Sequence, residues 1–333
     1  MKRKIFNVFL LSVGQVLAVV IIVGTTMTGW QSTQSTDKQF LPDEQKTAQE
    51  LKEIVTVLAE EIGDRNYASY HALDQAAEYI IEKFQAIGYS VEVMRYRHEG
   101  REFKNISVEK IPEGVSEEIV VVGAHYDTCF NPGADDNASG VAGLLALARL
   151  FKERDVKRRI KFVAFVNEEP PFYKTAAMGS RVYTRRAKKN KEKIVAAVIL
   201  ECIGFFRESR NSQRYPPLLG PFYPNKANFI AVAGNFSSRR LVKKVVGSFR
   251  EASSFPVEWL IAPRMIAAGI DFSDHWSFWE EGYPAVMVTD TAFYRNKNYH
   301  NQNDLPSTLD YDKMTRVVYG LQAAILDLVD ENK

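Results

Sequence analysis

Cysteine is scarce: the 333 residues hold two, Cys129 and Cys202, too few to staple a scaffold together. They allow one bridge in an oxidising compartment, or two free thiols packed as small apolar groups. Charge of one sign is missing too. A formal net charge of +2 gives no field to attract nucleic acid, and local runs such as Arg185-Arg186-Ala187-Lys188-Lys189 and Arg239-Arg240 read as solvated helix faces. No nucleic-acid partner is expected. Glycine-rich phosphate loops of the GxGxxG or GxxxxGKS kind are absent, which leaves nucleotide binding without support. No repeat of solenoid period and no tract biased towards Gly, Pro, Ser or Gln occurs, so neither a repeat array nor extended disorder is expected.

What remains has the balance of an ordinary globular chain, 46% hydrophobic and 25% charged, with length for one large domain or two ordinary ones. One segment stands outside that balance. After Lys2-Arg3-Lys4 the residues Ile5 to Gly24 are apolar except for Asn7, Ser12 and Gln15, and at about 1.5 Å per residue they span a ~30 Å hydrocarbon core. A cleaved signal peptide has an apolar region of roughly 7–15 residues and a small-x-small cleavage site. Neither is clear here, so an uncleaved anchor over residues 1–30 is favoured, with a cleaved signal as the alternative. The basic cluster then stays cytoplasmic and the remainder is exported, periplasmic or extracellular. Residues 31–43 read as a polar linker and 44–333 as the folded body.

Within that body, helix and strand periodicities alternate. Leu51, Ile54, Val55, Leu58 and Ile62, then Leu73, Ala76, Ala77, Ile80, Ile81 and Phe84, repeat at helical spacing. Strands are expected at 90–96, 104–110, 119–124, 160–166, 194–200 and 285–289, and further helices at 138–153 and 237–252. The fully apolar run Ile119 to Ala124 reads as a buried central strand. The expected fold is α/β, a three-layer α/β/α arrangement with helices on both faces of a mostly parallel central sheet. Residues 205–222 lack periodicity and read as a long loop of the kind that shapes a pocket.

Ligands of open α/β sheets bind beyond the carboxyl ends of the strands. Here those ends read His125-Tyr126-Asp127, Asn167-Glu168-Glu169 and Glu201. The loop PGADDNASG places Asp135 and Asp136 ahead of a helix, and YHNQND offers His300. Singly, each has a bland explanation, such as a core histidine or an N-cap aspartate. Together they put imidazoles and carboxylates at one buried edge, where unpaired negative charge is costly unless a cation sits among them. Imidazole nitrogen and carboxylate oxygen suit Zn²⁺.

The series VVVGAHYDT, PGADDNASGVAG, FVNEEPP with MGS, LECIGFF, SDHWSFW and YHNQNDLPSTLDY resembles the co-catalytic zinc aminopeptidases related to bacterial leucyl aminopeptidase, aminopeptidase S and aminopeptidase Y. The likeness runs from about Asp64 to Asp330, with six motifs in order, and extends less closely to glutaminyl cyclases. It implies a zinc-exopeptidase, phosphorylase/hydrolase-like fold, two Zn²⁺ ions per chain and peptide substrates cut at the N-terminus. By the resemblance, His125 and Glu201 hold the first ion, Glu169 and His300 the second, and Asp136 bridges both. Many relatives have Asp where this chain has Glu201. Asp127 would orient His125, and Asp135 would serve loop or cap hydrogen bonds. Glu168 would be the general base that takes a proton from the attacking water and hands it to the leaving amine. Asp274 and His275 would contact substrate or a developing oxyanion, Ser273 and Asp274 having a helix-cap alternative. His71 and His98 lie outside every motif and are expected to be structural or surface residues. The rival readings are a glutaminyl-cyclase-like transferase and a non-catalytic membrane ectodomain. Three N-x-S sequons, at Asn105, Asn137 and Asn235, do not discriminate.

Overall fold

The helical periodicities at the start of the body become two helices in the computed structural model, which describes residues 42–217, 219–265 and 267–330. They are α1 (Pro42–Thr56), prolonged by a π-helical turn over Val57–Ile62, and α2 (Tyr70–Ala86). Leu51, Ile54, Val55 and Leu58, then Leu73, Ala76, Ala77, Ile80 and Phe84, are buried in one core, as spacings of three and four residues require. The expected membrane segment lies outside the described residues. Among those described, no helix is long and apolar enough to cross a membrane.

The chain continues through β1 (Val91–His98), β2 (Arg101–Lys110), β3 (Glu118–His125), α3 (Gly140–Phe151), β4 (Arg159–Phe165), α4 (Gly179–Lys189) and β5 (Lys193–Glu201). It ends with β6 (Ile230–Gly234), α5 (Arg239–Ala252), β7 (Val257–Ile261), α6 (His275–Glu280), β8 (Ala285–Thr289) and α7 (Tyr311–Asp330). All eight strands form one sheet in the order β1-β2-β4-β3-β5-β8-β6-β7. The central strands β4, β3, β5 and β8 are mutually parallel. The flanks are mixed: β1 pairs antiparallel with β2, β2 with β4, and β6 with β8, while β7 is parallel to β6.

Burial on both faces explains the unbroken apolar runs. Val120, Val122 and Ala124 of β3 pack into the core shared by α1, α2, α3, α5 and α7. Ile119 and Val121 face the opposite layer, where Tyr183 and Ala187 of α4 and Phe278 of α6 cover the sheet. The basic run on α4 is exposed at Arg185, Arg186, Lys188 and Lys189 while Ala187 is buried, the solvated face expected of it. Residues 202–229 stay irregular apart from a 3₁₀ turn at Gly220–Phe222.

Helices α5 and α7 meet where Gly320 makes room for the fully buried Phe249; a Cβ on Gly320 would stand 2.3 Å from Phe249 Cε2. Replacing Phe249 by Ala should lower the unfolding free energy by about 3–5 kcal/mol. Urea denaturation checks this, and a loss under 1 kcal/mol would show that the helix interface repacks freely.

Candidate metal centre

The parallel strands end together, and the chemistry-bearing residues sit at those ends. His125 and Glu201 are the last residues of β3 and β5, Glu168 and Glu169 follow β4, Asp136 lies between β3 and α3, and His300 lies beyond β8. Backbone conformation is unusual at three of these points: Asn167, Cys202 and His300 have φ of +60°, +52° and +53°. Left-handed conformations in residues other than glycine are strained and gather at functional sites.

Asp136 lies between two imidazoles. Its Oδ1 is 3.3 Å from His125 Nε2 and its Oδ2 is 3.0 Å from His300 Nε2. Glu201 Oε2 stands 3.2 Å from His125 Nε2, and Glu169 Oε1 stands 3.2 Å from His300 Nε2. The donors thus fall into two groups sharing one carboxylate, His125 with Asp136 and Glu201, and His300 with Glu169, where Cys129 also offers a ligand atom. Yet His125 Nε2, both oxygens of Asp136 and Glu169 Oε1 are buried without a hydrogen-bond partner. They are arranged about common points and not aligned on one another. A tetrahedron of ligands at 2.0–2.1 Å has edges of about 3.3 Å, so the separations and donor types fit Zn²⁺.

Backbone hydrogen bonds hold these ends in place. Asp127 accepts the N–H groups of Glu168 and Glu169, each at 3.0 Å, on its two carboxylate oxygens. Its side chain is 3.6 Å from His125 Nδ1, whereas its own carbonyl oxygen is 3.2 Å from that nitrogen. A carbonyl only accepts, so Nδ1 carries the proton and Nε2 is left free for a cation. Asp304 accepts the N–H groups of Asp135 and Asp136. Asn137 donates to Leu200 O and accepts from Cys202 N, tying the Asp136 loop to the end of β5. Gly133, at φ +60°, is required by that loop, because a Cβ would lie 2.3 Å from Asp136 O. Beneath all of this, the fully buried Arg65 donates to the carbonyls of Tyr126, Pro132 and Gly133 at 2.6–2.9 Å.

The expected site residues are thus brought together, with distinctions among them. Asp135 accepts from Gly204 N and Asn296 Nδ2, the loop bonding foreseen for it. Asp274 and His275 are fully buried. His275 Nε2 donates to Ile270 O at 2.8 Å, and burial lowers its pKa to about 4. Asp274 is raised to about 7 by burial, and neither residue lines the adjoining cavity. The SDHW segment reaches the centre through Ser273, whose hydroxyl donates to Glu201 Oε2 at 2.7 Å. Cys129 and Cys202 are free thiols, not a bridge. His71 is exposed, and His98 stands against Phe172 and Glu99. Two of the sequons are buried structural groups: Asn137, as above, and Asn105, bonded to Val166 N and Gly179 O. Sequence reasoning missed Arg65 and Asp304 and offered Ser273 only as a helix cap. The last two stood inside motifs already singled out; Arg65 carried no signal of its own.

Beside Glu201 opens a cavity of about 100 Å³. Its walls come from the irregular loop at Tyr215 and Leu219, from small residues Ala231 and Ala233, from Met287, and from Tyr299, which stacks on His300 at 3.9 Å.

Residues 105–325 match the model of peptidase family M28. The chain belongs to that family. It is a metallopeptidase of the hydrolase class. A protein of Escherichia coli K12, the uncharacterized YfbL, is 37% identical over 283 residues, 82% of this chain and 86% of that protein. Leucine aminopeptidase 1 of Trichophyton equinum is 25% identical over 73% of this chain and 62% of that enzyme. Among solved structures, the zinc aminopeptidase BSAP of Bacillus subtilis superposes with a TM-score of 0.69 at 16% identity, covering 86% of this chain and 96% of that one. A glutaminyl cyclase of Bacteroides thetaiotaomicron does so at 0.62 and 17%, covering 86% and 98%. These neighbours share the fold.

Without metal, the M28 centre holds extra protons. Burial opposes charge on His125, but Glu201, Asp127 and Asp136 outweigh it and raise its pKa well above the usual imidazole range. His300 is raised likewise by Asp136, Cys129 and Glu169 against burial, and Glu169 is pushed up to about 8 by burial and by Asp136. From the unfolded values of about 4.5–6.5 up to pH 8, the folded state binds more protons, so metal-free stability falls as pH rises. Ligation needs those protons gone. The gap between unfolding temperatures in zinc and in chelator should therefore widen from pH 5 to pH 8; a gap that narrows would contradict this charge balance.

Proposed function

We propose that the chain is a zinc-dependent aminopeptidase holding two ions, the first on His125, Asp136 and Glu201 and the second on Asp136, Glu169 and His300. The observation that carries this reading is the position of Asp136, each of whose oxygens faces a different imidazole. What two ions supply when bound is Lewis acidity towards a carbonyl oxygen and a lowered pKa for water.

The chain's own residues do the rest. Glu168 is fixed beside the ligand Glu169 because Asp127 holds both backbone amides. Burial drives its carboxyl pKa well upward, with Glu169, Glu201 and Asp274 adding and His125 opposing. With cations bound beside it to favour the ionised form, a carboxylate in that place would accept a proton from the attacking water and return it to the leaving amine. The cavity beside Glu201 adjoins a candidate ligand of the first ion, a placement suited to receiving the side chain of a terminal residue. The apolar segment Ile5 to Gly24 would hold the enzyme at a membrane with this centre on the exported side.

The test is mass spectrometry of a peptide mixture, some members beginning with Gln, incubated with the zinc-loaded full-length protein beside a Glu168→Gln control. Stepwise loss of N-terminal residues is expected, with the control slowed about 10²- to 10⁴-fold at unchanged zinc content. Ammonia loss confined to Gln peptides would replace the reading by a cyclase, and an unchanged mixture would leave a binding role.

A further inference from the structure

The cavity beside Glu201 ends on a second carboxylate that the chemistry above does not use. Glu201 of β5 pairs with Thr289 of β8, Thr289 with Ala231 of β6, and Ala231 with Glu258 of β7. All four line the cavity. With strands about 4.8 Å apart, this row runs ~14 Å across the sheet, from a residue of the metal centre to Glu258.

Glu258 is 1% exposed, and both its carboxylate oxygens lack a hydrogen-bond partner. None of the groups best placed to serve it bonds to it. Tyr215 and Tyr223 stack at 5.3 Å, but their hydroxyls donate to the carbonyls of Pro224 and Trp259. Arg250 donates through Nη2 to the carbonyl of Val257 at 2.8 Å from the α5 side of the sheet, and its buried Nε forms no hydrogen bond to Glu258. Arg214, the one basic residue on the cavity wall, is exposed. Burial pushes the Glu258 carboxyl up to about 7 against the pull of Arg250. Between the two ends the wall is apolar, formed by Ala233, Leu260, Ile270 and Met287.

An apolar channel that closes on a buried, unpaired carboxylate beside aromatic rings is complementary to a methylene stem carrying a cation. We propose that this cavity receives a basic side chain, and that Glu258 selects substrates whose first residue is lysine or arginine. For turnover the assignment rests on the aminopeptidase reading; for binding it stands alone.

Lysine and norleucine differ at the cation and share the stem, so they separate charge recognition from apolar fit. In the wild type, kcat/KM for the lysyl p-nitroanilide should exceed that for the norleucyl one about 10- to 100-fold, and L-lysinamide should bind tighter than L-norleucinamide by a similar ratio in calorimetry. Both ratios should collapse in Glu258→Gln. Norleucyl turnover without a lysine preference, or a preference that survives Glu258→Gln, overturns the pocket assignment and leaves the aminopeptidase intact. No turnover of either substrate, with Glu258-dependent binding of lysinamide, sinks the aminopeptidase and keeps the pocket. The wild-type affinities decide the matter even if the variant does not fold.

Discussion

Too much negative charge is buried in one place, and the rest of the molecule is arranged around that fact. Asp127, Asp135, Asp136, Glu168, Glu169, Glu201, Asp290 and Asp304 are all nearly inaccessible to water. A buried carboxylate is tolerated only with hydrogen bonds or opposite charge about it. Four of these have found backbone N–H groups: those of Glu168 and Glu169 for Asp127, of Asp135 and Asp136 for Asp304, of Phe205 and Ala292 for Asp290, and of Gly204 for Asp135. Asp136 and the inner oxygen of Glu169 have not. Their deficit is what a cation satisfies.

Arg65 offsets part of the charge without touching a carboxylate of the centre. Its guanidinium is spent on backbone carbonyls, while its charge acts on Asp127, Asp304, Asp136 and Asp64 from a distance. Burial brings its pKa down to about 10, so it remains cationic at neutral pH. Its hydrogen bonds also set the path of the chain from His125 to Gly133. One side chain therefore shapes the ligand loop and lowers its electrostatic cost.

The candidate metal donors were legible in the sequence because each ends a long apolar run or sits in a short polar motif between such runs. His125 after IVVVGA and Glu201 after the strand from Ile194 are examples. Asp136 could be told from Asp135 only by resemblance; in the structure the difference is that Asp135 meets Gly204 and Asn296 while Asp136 meets two imidazoles. The short strands β6 and β7 escaped notice. Each is five residues long, and their cavity-facing positions are Ala231, Ala233, Glu258 and Leu260, too few and too mixed to stand out as alternation. Helix α7 was passed over as well, and of α4 only the solvated basic face was read; that surface masks the few residues it buries, Tyr183, Thr184 and Ala187 among them. Arg65 could not be recognised by pattern at all, since its partners are carbonyls up to 68 residues away.

The antiparallel join between β8 and β6 separates the two ends of the cavity in the chain as well as in space. Glu201 and Thr289 close their strands, while Ala231 and Glu258 lie near the beginnings of theirs. The candidate metal donors and the residues that shape the far wall therefore belong to different segments and answer to different packing demands. Drift at 231, 233 or 258 can therefore reshape the far wall while the candidate metal donors are inherited intact, so descendants of one ancestor can come to differ at one end of the cavity and stay alike at the other.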